Sequence, residues 1–99
     1  MTLSSKQRAF LRGLSNGIEP VCQLGKDGVT EAFLSGADEA LNRRELIKIT
    51  VLKSAGLPPK DALAEIARRL SAQAVCSTGG KIVLYRRSKS DRVKRLELP

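Results

Sequence analysis

The segment from Val21 to Glu31, VCQLGKDGVTE, constrains the fold of this chain most strongly. A short apolar run passes through a Gly-Lys-Asp-Gly turn directly into apolar residues at helical spacing, which predicts a strand, a tight turn and a helix. Gly25 and Gly28 allow positive φ and close approach of the backbone to another molecule. Because the next helix begins with unpaired N–H groups, the turn is suited to an anion, and Lys26 adds a cation.

A Gly-x-x-Gly turn is a weak signal when it stands alone, because such turns also serve as plain connections. The charge balance is more informative. The chain has 99 residues, enough for one domain, and its 18 Lys and Arg against 10 Asp and Glu give a net charge of +8. This excess favours nucleic acid as the partner, the alternative being that the charge serves only solubility.

The rest of the chain divides into alternating helices and strands. A first helix, capped by Ser4 or Ser5, is predicted to end near Ser15, and the Gly79-Gly80 pair predicts a hairpin. The order α-β-α-β-α-β-β predicts an α/β (mixed α+β) domain, with helices layered on a mixed four-stranded sheet whose first two strands are parallel. The other predicted elements are strands 20–24, 46–52, 74–78 and 81–86, and helices 30–41 and 59–73.

Several functional classes are disfavoured by the composition. The chain has no histidine, Asp38 and Glu39 are adjacent on a helix and therefore diverge, and the glycine turn lacks the Gly-Lys-Ser/Thr ending of a phosphate-binding loop. Cys22 and Cys76 have neither metal nor redox spacing and are expected to be small buried hydrophobes. We therefore expect no catalytic residue, no metal and no cofactor.

The chain also lacks an apolar run of about 18 residues and an N-terminal leader pattern, so we expect a cytoplasmic protein without a membrane partner. Phe10 and Phe33 are assigned to apolar helix faces and Tyr85 to packing on the sheet. Base stacking is then not the main mode of recognition, and phosphate contacts and shape should dominate.

Residues 86–95, RRSKSDRVKR, carry six cations against one carboxylate and too few apolar residues to fold alone. We interpret them as the start of a basic arm that extends the domain and contacts RNA through Arg86 and Arg87. A solvated tail without function is the alternative.

These pieces together resemble one family, the CRM domain, which occurs as a single-domain bacterial protein of the YhbY type. The resemblance is carried by five segments: SKQR (5–8) and LR (11–12) of the first helix, QLGKDGVT (23–30), LIK (46–48) and IVLYR (82–86). It implies a domain over residues 1–86, followed by a C-terminal extension over residues 87–99. It also implies a fold similar to the C-terminal domain of translation initiation factor three, with residues 25–28 similar to the GxxG loop of KH domains.

The family further implies RNA binding and association with precursors of the large ribosomal subunit, and we expect a monomer. Two other binding functions stay open. One is a DNA-binding module, although no helix-turn-helix with a polar reading helix is evident. The other is an adaptor that docks on ribosomal proteins through its acidic second helix. The predicted RNA-binding residues are Gly25, Lys26, Asp27, Gly28, Arg8, Arg12, Lys48, Arg86 and Arg87.

Overall fold

A four-stranded mixed sheet separates one helix from two others in this protein. The structure is a computed structural model that describes residues 2–90, 92–93 and 95–99. The mixed α/β class is confirmed, with three helices and the expected order of elements. The elements are α1 (Ser5–Ser15), β1 (Cys22–Leu24), α2 (Glu31–Arg44), β2 (Leu46–Val51), a short 3₁₀ helix (Lys53–Ala55), α3 (Pro59–Leu70), β3 (Gln73–Thr78) and β4 (Lys81–Tyr85).

The sheet has the strand order β1-β2-β4-β3. β1 and β2 are parallel, whereas β4 is antiparallel to both β2 and β3, as the connections predicted. Side chains alternate between the two faces. Ile47, Ile49, Ile82 and Leu84 are fully buried on the face covered by α2 and α3. Lys48, Thr50, Lys81, Val83 and Tyr85 therefore belong to the face on which α1 lies.

The helices begin where local chemistry satisfies their first N–H groups. The Ser4 side chain accepts from the backbone of Gln7, and the Gln7 side chain accepts from the Ser4 N–H, forming a capping box. Thr30 caps α2 in a similar way. Helix α2 continues three residues beyond the predicted end, and α3 stops three residues earlier than predicted because Ser71 adopts the left-handed conformation.

Two apolar clusters form the core, one on each face of the sheet. The larger cluster lies beneath α2 and α3, and the smaller joins Leu11 of α1 to Val75, Val83 and Tyr85 of the sheet. The predicted apolar face of α1 is only partly buried. Phe10 and Leu14 are each 40% exposed, whereas the buried residues of α1 are Leu11 and Ser15.

The C-terminal segment packs on the domain, whereas the sequence analysis interpreted it as a basic arm that extends the domain. Glu45 is fully buried, and its carboxylate accepts hydrogen bonds from the backbone N–H groups of Ser88 and Leu96, the latter at 2.6 Å. Leu96 and Leu98 join the smaller apolar cluster. Asp91 and Lys94, which belong to the same stretch of sequence, lie outside the described residues.

The two cysteines are free and half-buried, so the expectation of small buried hydrophobes holds only in part. Cys22 packs in the larger cluster and Cys76 in the smaller, on the two edge strands of the sheet. Three strand spacings of about 4.8 Å separate those strands, which exceeds the reach of a disulfide.

Candidate nucleic-acid interface

The GxxG loop, residues 25–28, forms a closed turn between β1 and α2. The Gly28 N–H donates to the Gly25 carbonyl at 3.0 Å, and Gly28 has φ of +70°. Lys26 and Asp27 are exposed at the tip of the turn. Within the described part of the chain, the backbone N–H groups of Lys26 and Asp27 donate no hydrogen bond. The turn therefore presents free donors beside a cation, an arrangement that can accept a phosphate.

The loop lies at the end of the sheet where two other connections meet. The Leu52 N–H donates to the Leu24 carbonyl at 2.9 Å, and the Val51 N–H donates to the Gly80 carbonyl at 2.7 Å. These bonds fix the loop beside the segment after β2 and beside the turn between β3 and β4. The loop is therefore anchored at this end of the sheet.

A cleft between the end of α1 and the sheet brings together two of the predicted cations. Arg12 of α1 and Lys48 of β2 both line a cavity of about 280 Å³. Lys81 of β4 lines the same cleft and was missed by the sequence analysis. Alternation along the strand KIVLY indicates which face of the sheet Lys81 occupies. Only the pairing of β4 with β2 shows that Lys81 lies near Lys48.

The other predicted cations are placed differently. Arg8 is exposed one turn before Arg12, and its guanidinium donates to the Ala74 carbonyl of β3 at 3.4 Å. Arg87 is exposed and lines a shallow depression with Gln7 and Tyr85, at the end of β4 far from the loop. The structure thus places Arg12 and Lys48 around the same cleft, while Arg8 and Arg87 lie further along the α1 side.

Arg86 does not belong to this surface. It is 8% exposed, and its guanidinium donates to the Asp38 carboxylate at 2.8 Å and to the Leu70 carbonyl at 2.9 Å. It also donates to the Asp38 carbonyl and the Asn42 side chain, each at 3.1 Å. The sequence analysis grouped Arg86 with the cations of the basic arm. In the structure, Arg86 connects the end of β4 to α2 and α3 on the opposite face of the sheet.

The ion pairs of the protein are distributed unevenly. The four described pairs all lie on the α2 and α3 side, where each joins an arginine to a carboxylate of α2 or α3. Among the described residues, no carboxylate pairs with six of the cations of the loop and the α1 side. Those six are Arg8, Arg12, Lys26, Lys48, Lys81 and Arg87.

The aromatic residues provide little surface for stacking bases. Tyr85, which the sequence analysis assigned to packing on the sheet, is 3% exposed and packs in the smaller cluster. Phe10 is the more exposed aromatic, but it lies on the flank of α1 opposite Arg8 and Arg12, because residues 10 and 12 are about 200° apart around a helix. The described residues also contain no group of three potential metal ligands, and no described helix is long and apolar enough to cross a membrane.

Comparison with known families supports a specific assignment. The family model of the CRS1/YhbY (CRM) domain matches residues 3–86. The chain belongs to this family. The matched region ends at Arg86, and the segment that packs around Glu45 follows it.

CRM relatives and a solved structure extend the match over the whole chain. A Bacillus subtilis protein named as a probable RNA-binding protein is 37% identical over 97 residues, covering 98% of this chain and 99% of the relative. A Haemophilus influenzae protein named as an RNA-binding protein is 38% identical over 93 residues, covering 94% of both. The solution structure of a hypothetical Staphylococcus aureus protein, also described as a candidate for RNA binding, has a TM-score of 0.78 and 33% identity, covering 99% of this chain and 100% of that protein.

Proposed function

We propose that this CRM protein binds structured ribosomal RNA through its GxxG loop and the α1 side of its sheet, and that it acts in assembly of the large ribosomal subunit. The RNA-binding part agrees with the names of the Bacillus subtilis and Haemophilus influenzae relatives. The ribosomal part rests on the resemblance to single-domain bacterial members of the family.

One observation carries the proposal, which is the separation of charge between the two faces. On the α2 and α3 side four arginines are paired with carboxylates, as in the pair between Arg69 and Glu31 at 2.9 Å, although Arg44 and Lys60 are not paired within the described part of the chain. On the other side, no ion pair among the described residues involves Arg8, Arg12, Lys26, Lys48, Lys81 or Arg87. An extended polyanion therefore gains most where the protein has not already compensated its own charge.

In the proposed complex, the free N–H groups of Lys26 and Asp27 and the ammonium of Lys26 bind one or two phosphates. Lys48 lies opposite Val21, four residues before Gly25, so about 13 Å of extended strand separates the two parts of the surface. Arg12 and Lys48 can thus bind further phosphates of the same RNA. Contacts of this kind position the RNA but do not read its sequence.

Crosslinking in cells, with mapping of the attached RNA, tests the proposal. The wild type is expected to crosslink to RNA of the large ribosomal subunit and its precursors. A variant with Arg12→Gln, Lys26→Gln and Lys48→Gln should lose these crosslinks. A control with Arg43→Gln, Lys60→Gln and Arg68→Gln removes the same charge from the opposite side and should retain them.

Three outcomes would count against the proposal. Crosslinks mainly to other RNAs would contradict the ribosomal assignment. Crosslinks mainly to DNA would contradict it too and would favour the DNA-binding alternative. Equal losses in both triple variants would show that net charge alone matters. If the Arg12, Lys26 and Lys48 variant still sedimented with the large subunit, an adaptor that docks on ribosomal proteins would be the better account.

A further inference from the structure

The floor of the cleft beside α1 is an ordered grid of side chains. Strand register places Lys48 and Cys76 on either side of Val83, and Thr50 and Thr78 on either side of Lys81. Directly opposed side chains on one face have Cβ atoms about 5 Å apart. Lys81 and Thr78 are therefore neighbours at the mouth of the cleft, while Val83 and Cys76 form an apolar floor.

The rim of the cleft offers cations together with neutral hydrogen-bonding groups. Arg12, Lys48 and Lys81 supply the charge, and Asn16 and Thr78 supply an amide and a hydroxyl. None of the described residues that line the cavity carries a carboxylate. Within the described residues, neither the Asn16 amide nor the Thr78 hydroxyl makes a side-chain hydrogen bond, and both residues are exposed.

We infer that this cleft binds one ribose and its phosphate from an RNA strand, and that Thr78 and Asn16 recognise the ribose 2′-hydroxyl. Three cations at the rim suit a phosphate, and an apolar floor suits the carbon face of a sugar. A 2′-hydroxyl both donates and accepts hydrogen bonds, which matches a threonine hydroxyl and an asparagine amide. The cleft would therefore be where the protein distinguishes RNA from DNA, an inference that rests on the proposed function.

The cleft and the GxxG loop are expected to recognise different parts of the RNA. Backbone N–H groups in the loop bind phosphates, which RNA and DNA share. The unpartnered Thr78 hydroxyl and Asn16 amide can add an interaction that deoxyribose does not offer. Loss of the loop should lower affinity for both nucleic acids, whereas loss of these two groups should lower affinity for RNA alone.

The test compares dissociation constants for an RNA hairpin and for a DNA hairpin of the same sequence and length. The wild type is expected to prefer RNA. Thr78→Val, which keeps the shape of the side chain, should reduce the ratio of DNA to RNA dissociation constants by about 2- to 12-fold, the range expected for one neutral hydrogen bond. Thr50→Val is the matched control, because Thr50 lies on the same face and opposes Lys81 but does not line the cavity.

Two further variants make the result decisive. Asn16→Ala should reduce the same ratio, and Lys81→Gln should weaken binding of RNA and DNA by similar factors. If the wild type binds RNA tightly but Thr78→Val and Asn16→Ala both keep its preference, the inference is wrong while RNA binding stands. If the wild type binds both hairpins equally, the inference is also wrong. If it binds neither, even at low salt, the proposed function itself fails.

Discussion

Gly25 and Gly28 bracket the same turn, but the backbone requires glycine only at the second position. Gly28 has φ of +70°, which L-residues rarely adopt, whereas a Cβ on Gly25 would meet Leu52 Cδ1 at 3.7 Å and Ser54 Oγ at 3.8 Å, ordinary contact distances. We expect Gly28→Ala to lower the free energy of unfolding by about 1 kcal/mol and Gly25→Ala to change it by less than about 0.5 kcal/mol. Urea unfolding measures both, and equal losses would contradict this assignment.

Lys26 is exposed at the tip of the loop and is expected to act as a phosphate contact without sequence preference. If about five phosphates are bound, the plot of log K against log salt concentration should have a slope of about −3.5 to −4.5. Lys26→Gln should weaken binding to different RNA sequences by similar factors and make the slope shallower by about 0.7 to 0.9.

The matched control for this experiment is Lys60→Gln, which removes an exposed lysine from the first turn of α3 on the opposite side. Its affinity and slope should stay close to those of the wild type. A nearly flat salt dependence of the wild type would refute phosphate-led binding. A loss confined to one RNA sequence in Lys26→Gln would show that the lysine reads a base instead.

At the scale of elements, Arg86 and Arg87 are adjacent in sequence but have different roles in the structure. Arg86 joins β4 to α2 and α3 by four hydrogen bonds, whereas Arg87 is exposed. Arg86→Gln should lower the free energy of unfolding by about 2 kcal/mol, because several partly buried acceptors lose a charged donor. Arg87→Gln should change it by less than about 0.5 kcal/mol.

Urea unfolding of the two variants checks this prediction, and RNA titration of Arg87→Gln provides a second readout. Arg87 is expected to contribute to RNA affinity from the α1 side. Similar stability losses in the two variants would mean that the ion pair between Arg86 and Asp38 does not hold the elements together. If Arg86→Gln kept its stability but bound RNA more weakly, Arg86 would have to be counted as an RNA-binding residue after all.

The elements themselves were predictable because their signals are local. Helical and alternating periodicities, the capping serine and the Gly79-Gly80 turn depend on neighbours within a few residues. The burial of Glu45, in contrast, could not be predicted from local signals. It follows two arginines and precedes a strand, and nothing nearby predicts a buried carboxylate, because its partners are backbone groups more than 40 residues away. The position of Lys81 in the cleft and the burial of Arg86 depend on distant contacts in the same way.

Considered as a whole molecule, the protein should lose stability in alkaline solution. Burial raises the pKa of Cys22 above its ordinary value of 9.0, and burial together with the nearby charge of Glu45 raises the pKa of Tyr85 above 10.0. Above these ordinary values the unfolded chain loses protons that the folded chain still holds. The free energy of unfolding must therefore fall as pH rises through about 9 to 11.

Urea unfolding measured between pH 8 and pH 11 tests this expectation. Tyr85→Phe removes one of the two groups and should make the decline above pH 10 shallower than in the wild type, while leaving the decline near pH 9. Stability that stayed constant up to pH 11 would contradict the raised pKa values of Cys22 and Tyr85 in the folded state.

The central claim is that RNA binds the GxxG loop and the α1 side of the sheet. NMR mapping of amide chemical shifts, during titration with a structured fragment of ribosomal RNA, tests it most directly. The largest changes are expected at residues 25–28 and at Arg12, Lys48 and Lys81, with small changes along α2. Changes concentrated on α2 and α3, with the loop unaffected, would contradict the account.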